Sequence, residues 1–320
     1  ILMAYCGYGV WALVVQQLCN VIINTITLNL IIKWRPTLVF SYSRFKELFG
    51  FGVKFMFTNL IGTFFAQLKG LIIGAKYTES DLAYYNRGEN FPSLISNNIA
   101  NSINAVLFPA LAKVQDDRDK LKKIVRRSMR TSSFIMCPLL FFLTATANNI
   151  VHILLTDKWM LCVPFIQVIS VSYIFKIFST TSIQSLNAIG RSDIPLKLEF
   201  LKKPIYLLLI LGAMWISPIA IAIANTIFDL IEVVINTFPN NKHIKYTFKE
   251  QFFDVVPNFI LSAIIAIVVF FVGYLHINSL LLLIAQFSLF MSFYFGYAYI
   301  TKNESLLYIL NTAKSFISKK

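Results

Sequence analysis

Residues 76–130 read KYTESDLAYYNRGENFPSLISNNIANSINAVLFPALAKVQDDRDKLKKIVRRSMR. This stretch alternates between polar loops and an apolar segment, and the same alternation is repeated along the whole chain. A short polar loop, 76–90, precedes an apolar segment, Phe91–Ala112, and a strongly basic loop, 113–130, follows it. Pro92 fits the first turn of a helix, because a backbone N–H at that position would have no intrahelical partner. We therefore predict a membrane-spanning helix between two loops.

The predicted helix Phe91–Ala112 has two different faces. At helical spacing its apolar face is formed by Leu94, Ile95, Ile99, Ile103, Val106 and Leu107. The opposite face is a polar stripe of Ser93, Asn97, Asn101 and Asn104. Asparagine in hydrocarbon is costly unless it finds a partner or lines water, so we expect the stripe to face a bundle interior or an aqueous cavity. The alternative is an amphipathic helix of a soluble protein.

The composition indicates an all-α, polytopic membrane helix bundle. Of 320 residues, 57% are hydrophobic and 30 are Phe. The mean hydropathy of +0.67 is far above that of a soluble domain. Residues 1–6 resemble the end of an earlier span, and the chain starts without Met, so we expect an N-terminally truncated fragment. Nine complete spans are predicted: Val10–Ile32, Gly50–Ala75, Phe91–Ala112, Thr131–Leu155, Cys162–Gly190, Leu198–Ile216, Ile219–Phe238, Val256–Leu275 and Ser279–Ile300.

Basic residues alternate between the two sides of this arrangement. The loops that begin at Lys33, Lys113, Arg191, Pro239 and Thr301 contain 23 of the 29 Lys and Arg residues, with Lys202 and Lys203 counted in the Arg191 loop although they overlap the start of the next predicted span. The intervening loops contain only Lys76, Arg87 and Lys158. By the positive-inside rule the basic loops and the C-terminus are cytoplasmic. The net charge of +14 is then a topology signal, and we predict no nucleic-acid partner.

Signatures of catalysis and of cofactor binding are not found in the sequence. It has no HExxH motif, no Cys/His cluster and no GxxxxGK[ST] loop, so we predict no metal, no cofactor and no ATP site of that type. The cysteines form no CxxC pair and indicate no disulfide framework. No predicted outer loop is long enough for a catalytic domain. Transport is the function that such a chain can still perform, and we predict that it is not an enzyme.

Polar residues within the spans are candidates for a transport pathway. Lys176, near the middle of its span, shares a helical face with Tyr173, Thr180, Gln184 and Asn187. An ionisable residue at that depth indicates a functional role or an ion pair. Asp229 and Glu232 share a face of a later span and are either an ion-coupling site or the partners of Lys176. Lys54, Lys69, Lys202 and Lys203 lie nearer span ends, where we expect their ammonium groups to reach the interface.

Several short motifs resemble one family of transporters. They are Leu82-Ala-Tyr-Tyr-Asn-Arg87, Ala105-Val-Leu-Phe-Pro-Ala-Leu111, Thr156-Asp-Lys-Trp159 and Asn187-Ala-Ile-Gly-Arg191. In this order they resemble the polysaccharide exporters, which are lipid-linked oligosaccharide flippases of the multidrug/oligosaccharidyl-lipid/polysaccharide superfamily. Where Gln67-Leu-Lys69 stands, we expect many relatives to have an acidic or a neutral polar residue.

The resemblance implies a fold of two six-helix lobes followed by a terminal pair of helices. Residues 1–33 would then end the first lobe, 34–49 would be a cytoplasmic connector, 50–239 the second lobe, and 240–320 a cytoplasmic loop, a terminal hairpin and a basic tail. The missing first lobe would be a partner of this fragment.

The family's substrate is an undecaprenyl-pyrophosphate-linked oligosaccharide, flipped across the bacterial inner membrane for O-antigen, capsule or exopolysaccharide assembly. Our candidate substrate-binding residues are Arg87, Asn97, Asn101, Asn104, Lys176, Thr180 and Gln184. Two alternatives stay open: a multidrug or cation antiporter of the same superfamily, which should have acidic cavity residues, and a membrane-embedded enzyme of glycan assembly, which would need a large outer loop.

Overall fold

The computed structural model describes residues 7–32, 40–114, 117–191, 193–275 and 277–317, and within them it contains only helices. Ten are α-helices, and one 3₁₀ helix, Asp157–Cys162, lies between α4 and α5. The α-helices are α1 Trp11–Ile31, α2 Tyr42–Lys76, α3 Glu79–Ala112, α4 Arg118–Leu155, α5 Val163–Ala188, α6 Asp193–Ala213, α7 Pro218–Ile244, α8 Phe248–Val272, α9 Ser279–Ile300 and α10 Glu304–Ile317.

The chain divides into two units, residues 1–64 and 65–320. The second unit is a bundle around α5, which packs against α3, α4 and α7. Helix α4 also contacts α8 and α9, so the terminal hairpin belongs to the same unit as the helices before it. The boundary between the units falls within α2.

The outer surface of the bundle is apolar, as a membrane requires. In α9 the buried residues recur every fourth position and form one narrow strip, Leu282, Gln286, Phe290, Tyr294 and Ala298. Large apolar side chains on its other faces, among them Leu281, Ile284 and Phe293, are exposed. Exposure of so much apolar surface to water is energetically unfavourable, whereas contact of that surface with lipid is not. The described part of the chain has 6 helices long and apolar enough to cross a membrane: α1, α4, α7, α8, α9 and α5 with its preceding 3₁₀ helix. The other three predicted spans coincide with α2, α3 and α6.

Three predicted loops are mostly helical. Helix α3 begins at Glu79, α4 begins at Arg118 and α8 begins at Phe248, so only a few residues remain between consecutive helices. The cause is N-terminal capping: the side chains of Thr78 and Thr247 form reciprocal capping boxes with Asp81 and Glu250. Asp117 accepts a hydrogen bond from the backbone N–H of Lys120, and this bond lowers the pKa of the Asp117 carboxyl. These capping residues are visible in the sequence, and the prediction of loops was wrong because it relied on charge alone.

Two further predictions of local structure need correction. Pro92 lies inside α3 rather than in its first turn, since the helix starts thirteen residues earlier. The predicted basic tail contains helix α10, whose Leu306 and Ile309 pack against the core.

A buried carboxylate ties α4 to α8. Asp254 in the first turns of α8 is 1% exposed and accepts hydrogen bonds from Arg126 and Arg130 of α4, with N–O distances of 2.7 to 3.0 Å. The hydroxyl of Tyr246 also donates to Asp254, at 2.7 Å. Burial, and then this hydrogen bond, raise the pKa of the Tyr246 phenol. Arg130 further pairs with Glu304 at 2.5 Å, which joins α10 to the same network. The basic residues at the start of α4 therefore hold helices together.

Gly88 is the point of closest approach between α3 and the start of α5. A Cβ atom built on Gly88 would lie 2.5 Å from Cβ of Phe165 and 3.2 Å from the backbone oxygen of Cys162. Neither the Cβ atom of Phe165 nor the backbone oxygen of Cys162 can move away unless the backbone of the chain moves. This contact fixes the depth at which α3 packs beside α5.

Gly88→Ala should therefore destabilise the bundle by about 1–3 kcal/mol, the usual cost of overpacking a tight contact. The measurement is the thermal unfolding temperature of purified protein in detergent, with folded yield as a second readout. Gly212→Ala is the matched control, because a Cβ at that helical glycine meets nothing within 4 Å. Equal effects of the two changes would contradict the predicted close contact.

The predicted orientation can be tested at the two ends of α3. Glu79 is exposed at the start of that helix, and the side chain of Lys120, just beyond its end, is 69% exposed. In a version whose four native cysteines are alanine, Glu79→Cys should react with a membrane-impermeant thiol reagent in intact cells. Lys120→Cys should react only after the cells are permeabilised. The opposite pattern would reverse the whole orientation.

Candidate functional site

The polar stripe of α3 faces away from the bundle core. Asn97 and Asn101 are exposed, and Ser93 is half-buried. On the opposite side Leu107 is buried, and Ile95, Ile99 and Ile103 pack against the core. Leu94, predicted on the apolar face, is 63% exposed and borders the stripe. The side chains of Asn104 and Val106 lie outside the described part of the structure. Helix α3 thus presents amide groups on a surface that no other described residue of 65–320 covers.

Lys176 and Thr180 line a small cavity between α3, α4 and α5. Its volume of about 20 Å³ is enough for one water molecule. The other side chains around it include Ser96, Ala100 and Ile103 of α3 and Ser132 of α4. The Nζ atom of Lys176 lies 3.7 Å from the centroid of the Tyr173 ring, a cation–π contact. Among the described residues Lys176 forms no ion pair, so its ammonium group is held by an aromatic face next to a cavity lined by both hydroxyl and apolar side chains.

Asp229 lies in the interior of the same bundle and is 6% exposed. It accepts hydrogen bonds from the hydroxyl of Ser172 and, at 3.0 Å, from the side-chain amide of Asn225. It is close enough to Lys176 for electrostatic attraction, although the two groups make no direct contact. Asp229 is therefore a hydrogen-bonded carboxylate near a cation rather than half of a salt bridge.

Glu232 has a different partner from the one considered in the sequence. Its carboxylate lies 2.8 Å from the Nζ atom of Lys202 and also accepts a hydrogen bond from Asn236. Lys202 is 1% exposed and pairs with Glu199 as well, at 2.5 Å. The expectation that Lys202 reaches the interface was wrong, because two carboxylates from α6 and α7 hold its ammonium group inside. Lys203 also pairs with Glu199, at 3.0 Å.

A second ion pair was missed because one partner was placed in a loop. Lys69 of α2 lies 3.3 Å from Glu89 of α3, and its side chain is only 14% exposed. From the sequence, Lys69 is predicted to reach the interface and Glu89 to lie in the loop 76–90. Once α3 begins at Glu79, Glu89 is within a helix and faces Lys69. The capping residues of α3 show that the helix begins at Glu79, and they would have allowed the Lys69–Glu89 pair to be predicted. The side chain of Lys54 lies outside the described part of the structure.

Arg87 and Gln184 lie apart from the cavity. The guanidinium of Arg87 stacks over the ring of Trp159, 5.0 Å from its centroid, near the start of α5. Gln184 is half-buried one turn beyond Thr180. The structure thus brings Lys176 and Thr180 together beside α3, with Asp229 close by, and places Arg87 and Glu232 elsewhere in the bundle.

This arrangement is suited to binding rather than to bond cleavage. Asparagine amides and hydroxyls donate and accept hydrogen bonds, and a lysine attracts an anion as a point charge. Among the described residues no group of three or more His, Cys, Asp or Glu side chains could hold a metal ion. The site therefore offers exposed amides on α3 and, nearby, a lysine that has no ion-pair partner among the described residues.

Comparison with protein families supplies independent information. A family model described as "Polysaccharide biosynthesis protein" matches residues 1–164, just over half of the chain. The match covers α1, α2, α3 and α4, and therefore includes the exposed amides of α3.

Individual relatives are distant. The chain is 23% identical over 197 residues to the succinoglycan biosynthesis transport protein ExoT of Rhizobium meliloti, covering 61% of this chain and 39% of that protein. It is 23% identical over 235 residues to the lipopolysaccharide biosynthesis protein WzxC of Escherichia coli, covering 71% and 48%. For the teichuronic acid biosynthesis protein TuaB of Bacillus subtilis the identity is 22% over 239 residues, covering 74% and 50%. The chain thus spans two fifths to half the length of these relatives.

A solved structure agrees with the fold. The lipid II flippase MurJ, in an inward closed conformation, superposes with a TM-score of 0.67 at 18% identity, covering 86% of this chain and 58% of that one. At this identity the likeness is one of fold, and it confirms the predicted all-α membrane bundle. The family match shows that this multi-pass membrane protein belongs to the polysaccharide biosynthesis protein family.

Proposed function

We propose that the complete gene product flips an undecaprenyl-pyrophosphate-linked oligosaccharide across the bacterial inner membrane. The observation that carries this proposal is the row of uncovered amides on α3 beside the cavity of Lys176. Relatives named as transport or biosynthesis proteins for succinoglycan, lipopolysaccharide and teichuronic acid support a saccharide substrate. The MurJ-like fold supports a lipid-linked one.

The chemistry of the site fits the two halves of such a substrate. Amides of Asn97, Asn101 and Asn104 would bond sugar hydroxyls, because an amide both donates and accepts. Lys176 would meet the pyrophosphate, with Thr180 and Gln184 as neighbouring polar groups. Arg87 stacks on Trp159 near the start of α5, away from the cavity. It would therefore contact only those parts of the substrate that extend to the start of α5.

We further propose an orientation and a division into lobes. The basic loops and the C-terminus are cytoplasmic, residues 50–239 form one transport lobe, and residues 240–320 add a terminal hairpin. Alternating access requires a second lobe to move against the first, so we assign the transport activity to the complete gene product and not to this bundle alone.

Of the two carboxylates considered for ion coupling, Asp229 is the better candidate. Its contacts are a hydroxyl and an amide, which can rearrange when a proton or a cation binds. Glu232 is engaged by Lys202, so its structural role as an ion-pair partner is sufficient to explain its presence in α7. We propose that Asp229 responds to the coupling ion and that Glu232 holds α6 to α7.

The alternative functions have less support. A cation antiporter should expose acidic groups toward its substrate, whereas the described surface of α3 is lined by neutral amides next to a lysine. An enzyme of glycan assembly would need reactive groups in a cluster, and the relatives with functional names are not named as enzymes. We assign no catalytic step to this protein.

The test is a pair of variants in a strain whose own copy of the gene is deleted. If Lys176 meets the substrate, Lys176→Gln should lower glycan export about tenfold or more at unchanged protein level, and adding Asp229→Asn should not restore export. The reason is that a buried charge–charge contact is worth several times the 1.4 kcal/mol that a factor of ten represents. Export is measured as surface glycan, with lipid-linked precursor in the membrane as the second readout.

Lys120→Gln is the matched control, because that lysine is exposed and far from the cavity. Recovery of export in the double variant would make Asp229 the partner of Lys176 and would reject the contact with substrate. Normal glycan export in the deletion strain would reject the proposed function itself.

A further inference from the structure

The row of asparagines on α3 is longer than the polar stripe predicted from the sequence. Because α3 begins at Glu79, Asn86 and Asn90 belong to the same helix as Asn97 and Asn101. At about 100° per residue these four asparagines fall within about 60° of arc, and they extend over about 22 Å of helix. We call Asn86, Asn90, Asn97 and Asn101 the asparagine row. It is about three quarters as long as the hydrocarbon core of a bilayer is thick, which is about 30 Å.

The four side chains of the asparagine row are exposed, and within the described part of the chain none of their amide groups makes a hydrogen bond. The opposite side of α3 is closed, with Tyr85, Gly88 and Ser96 buried. Asn98 is also exposed, but it lies off the row and its amide donates to the backbone oxygen of Leu94 at 2.8 Å. The row is therefore a continuous, uncharged surface of free amides.

Lys176 stands near one end of this row. Its side chain lines a cavity together with Ala100, the sequence neighbour of Asn101, and with Ser96 on the buried flank of α3 beside the row. Gly88 of α3 is in tight contact with Phe165 of α5. Ala100 lies about as far along α3 from Gly88 as Lys176 lies along α5 from Phe165. Ala100 and Lys176 are therefore at similar depths in the bundle. Asn90 and Asn86 then lie about 15 Å and about 21 Å from Ala100, toward the start of α3. The cation marks one end of the row and neutral amides form the rest.

We propose that the asparagine row is the track along which the sugars of the substrate lie, with its anionic group at Lys176 and its distal sugars at Asn86 and Asn90. This inference rests on the proposed function and adds to it a direction and two binding residues. A row of neutral amides complements a chain of hydroxyls, and a single cation at one end complements a single anionic group. The glycan then points toward the predicted outer side of the membrane.

The other occupant of such a face would be a polar helix packed against it. Amide–amide bonds between membrane helices do occur, and a covering helix would also satisfy the row. Such packing gives no reason for a lysine cavity at one end of the row. A substrate with a charged and an uncharged part explains both features, and we therefore assign the row to the glycan.

Photo-crosslinking in the complete gene product tests this arrangement. A benzophenone amino acid is placed at Asn86, Asn90, Asn98 or Asn101, and the purified protein is irradiated with one of two lipids. The first is the lipid-linked saccharide extracted from the native host. The second is undecaprenyl pyrophosphate, which has the anionic group but no sugar. Captured lipid is measured by mass spectrometry of the digested protein.

The proposal predicts a different result at each position. Asn101 should capture both lipids, because it lies next to the cavity of Lys176. Asn86 and Asn90 should capture only the lipid that bears the saccharide, and Asn98, the matched control on the same helix, should capture neither. Each variant must reach the membrane at the wild-type protein level and retain measurable glycan export in the deletion strain.

Four outcomes would overturn the proposal. Capture of the saccharide lipid at Asn101 but not at Asn86 or Asn90 rejects the track and leaves the proposed function intact. Equal capture of both lipids at Asn86 rejects the direction of the glycan. Crosslinks from Asn86 and Asn90 to another segment of the polypeptide mean that a helix covers the row. Failure of capture at every position, with normal export in the deletion strain, rejects the proposed function as well.

Discussion

A polar side chain inside a bilayer must find a partner or reach water, and this constraint explains most of what is unusual in this bundle. No water in hydrocarbon can satisfy an exposed amide or charge. Most of the charged groups in the spans therefore have an internal partner, and the exposed amides of α3 lie on a surface that water or a ligand can reach.

Most of the buried charges are satisfied within the protein. Lys202 lies between Glu199 and Glu232, and Lys69 pairs with Glu89, so these residues hold helices together. The Asp254 network does the same for α4, α8 and α10. Removing one member of such a pair leaves an uncompensated charge, which is usually more costly than the pair is stabilising. Among the described residues Lys176 has no ionic partner and the amides of the asparagine row have no hydrogen-bond partner, and the cavity beside Lys176 borders α3 at the flank of that row.

The sequence predicted the class of fold because hydropathy and helical periodicity are properties of single segments. It placed the faces of α3 correctly for the same reason: Ile95, Ile99 and Ile103 pack inward while Asn97 and Asn101 do not. It failed where helices continue into charged sequence, as at Glu79 and Arg118, because charge suggested loops and the capping residues were not weighed against it. The ion pairs of Lys69 and Lys202 could not be derived from one segment, since each depends on which helices are neighbours. The roles of the seven predicted binding residues and of the two carboxylates stay predictions.

The central claim is that α3 turns a polar face to water or substrate within the membrane, and cysteine accessibility along that helix tests it most directly. Single cysteines at Ile95, Asn97, Ile99, Asn101 and Ile103 would be treated with a small polar thiol reagent, in complete protein that lacks its native cysteines. The account predicts fast reaction at Asn97 and Asn101 and none at the three isoleucine positions. Equal protection of all five positions would contradict it, and would make the asparagines contacts between helices.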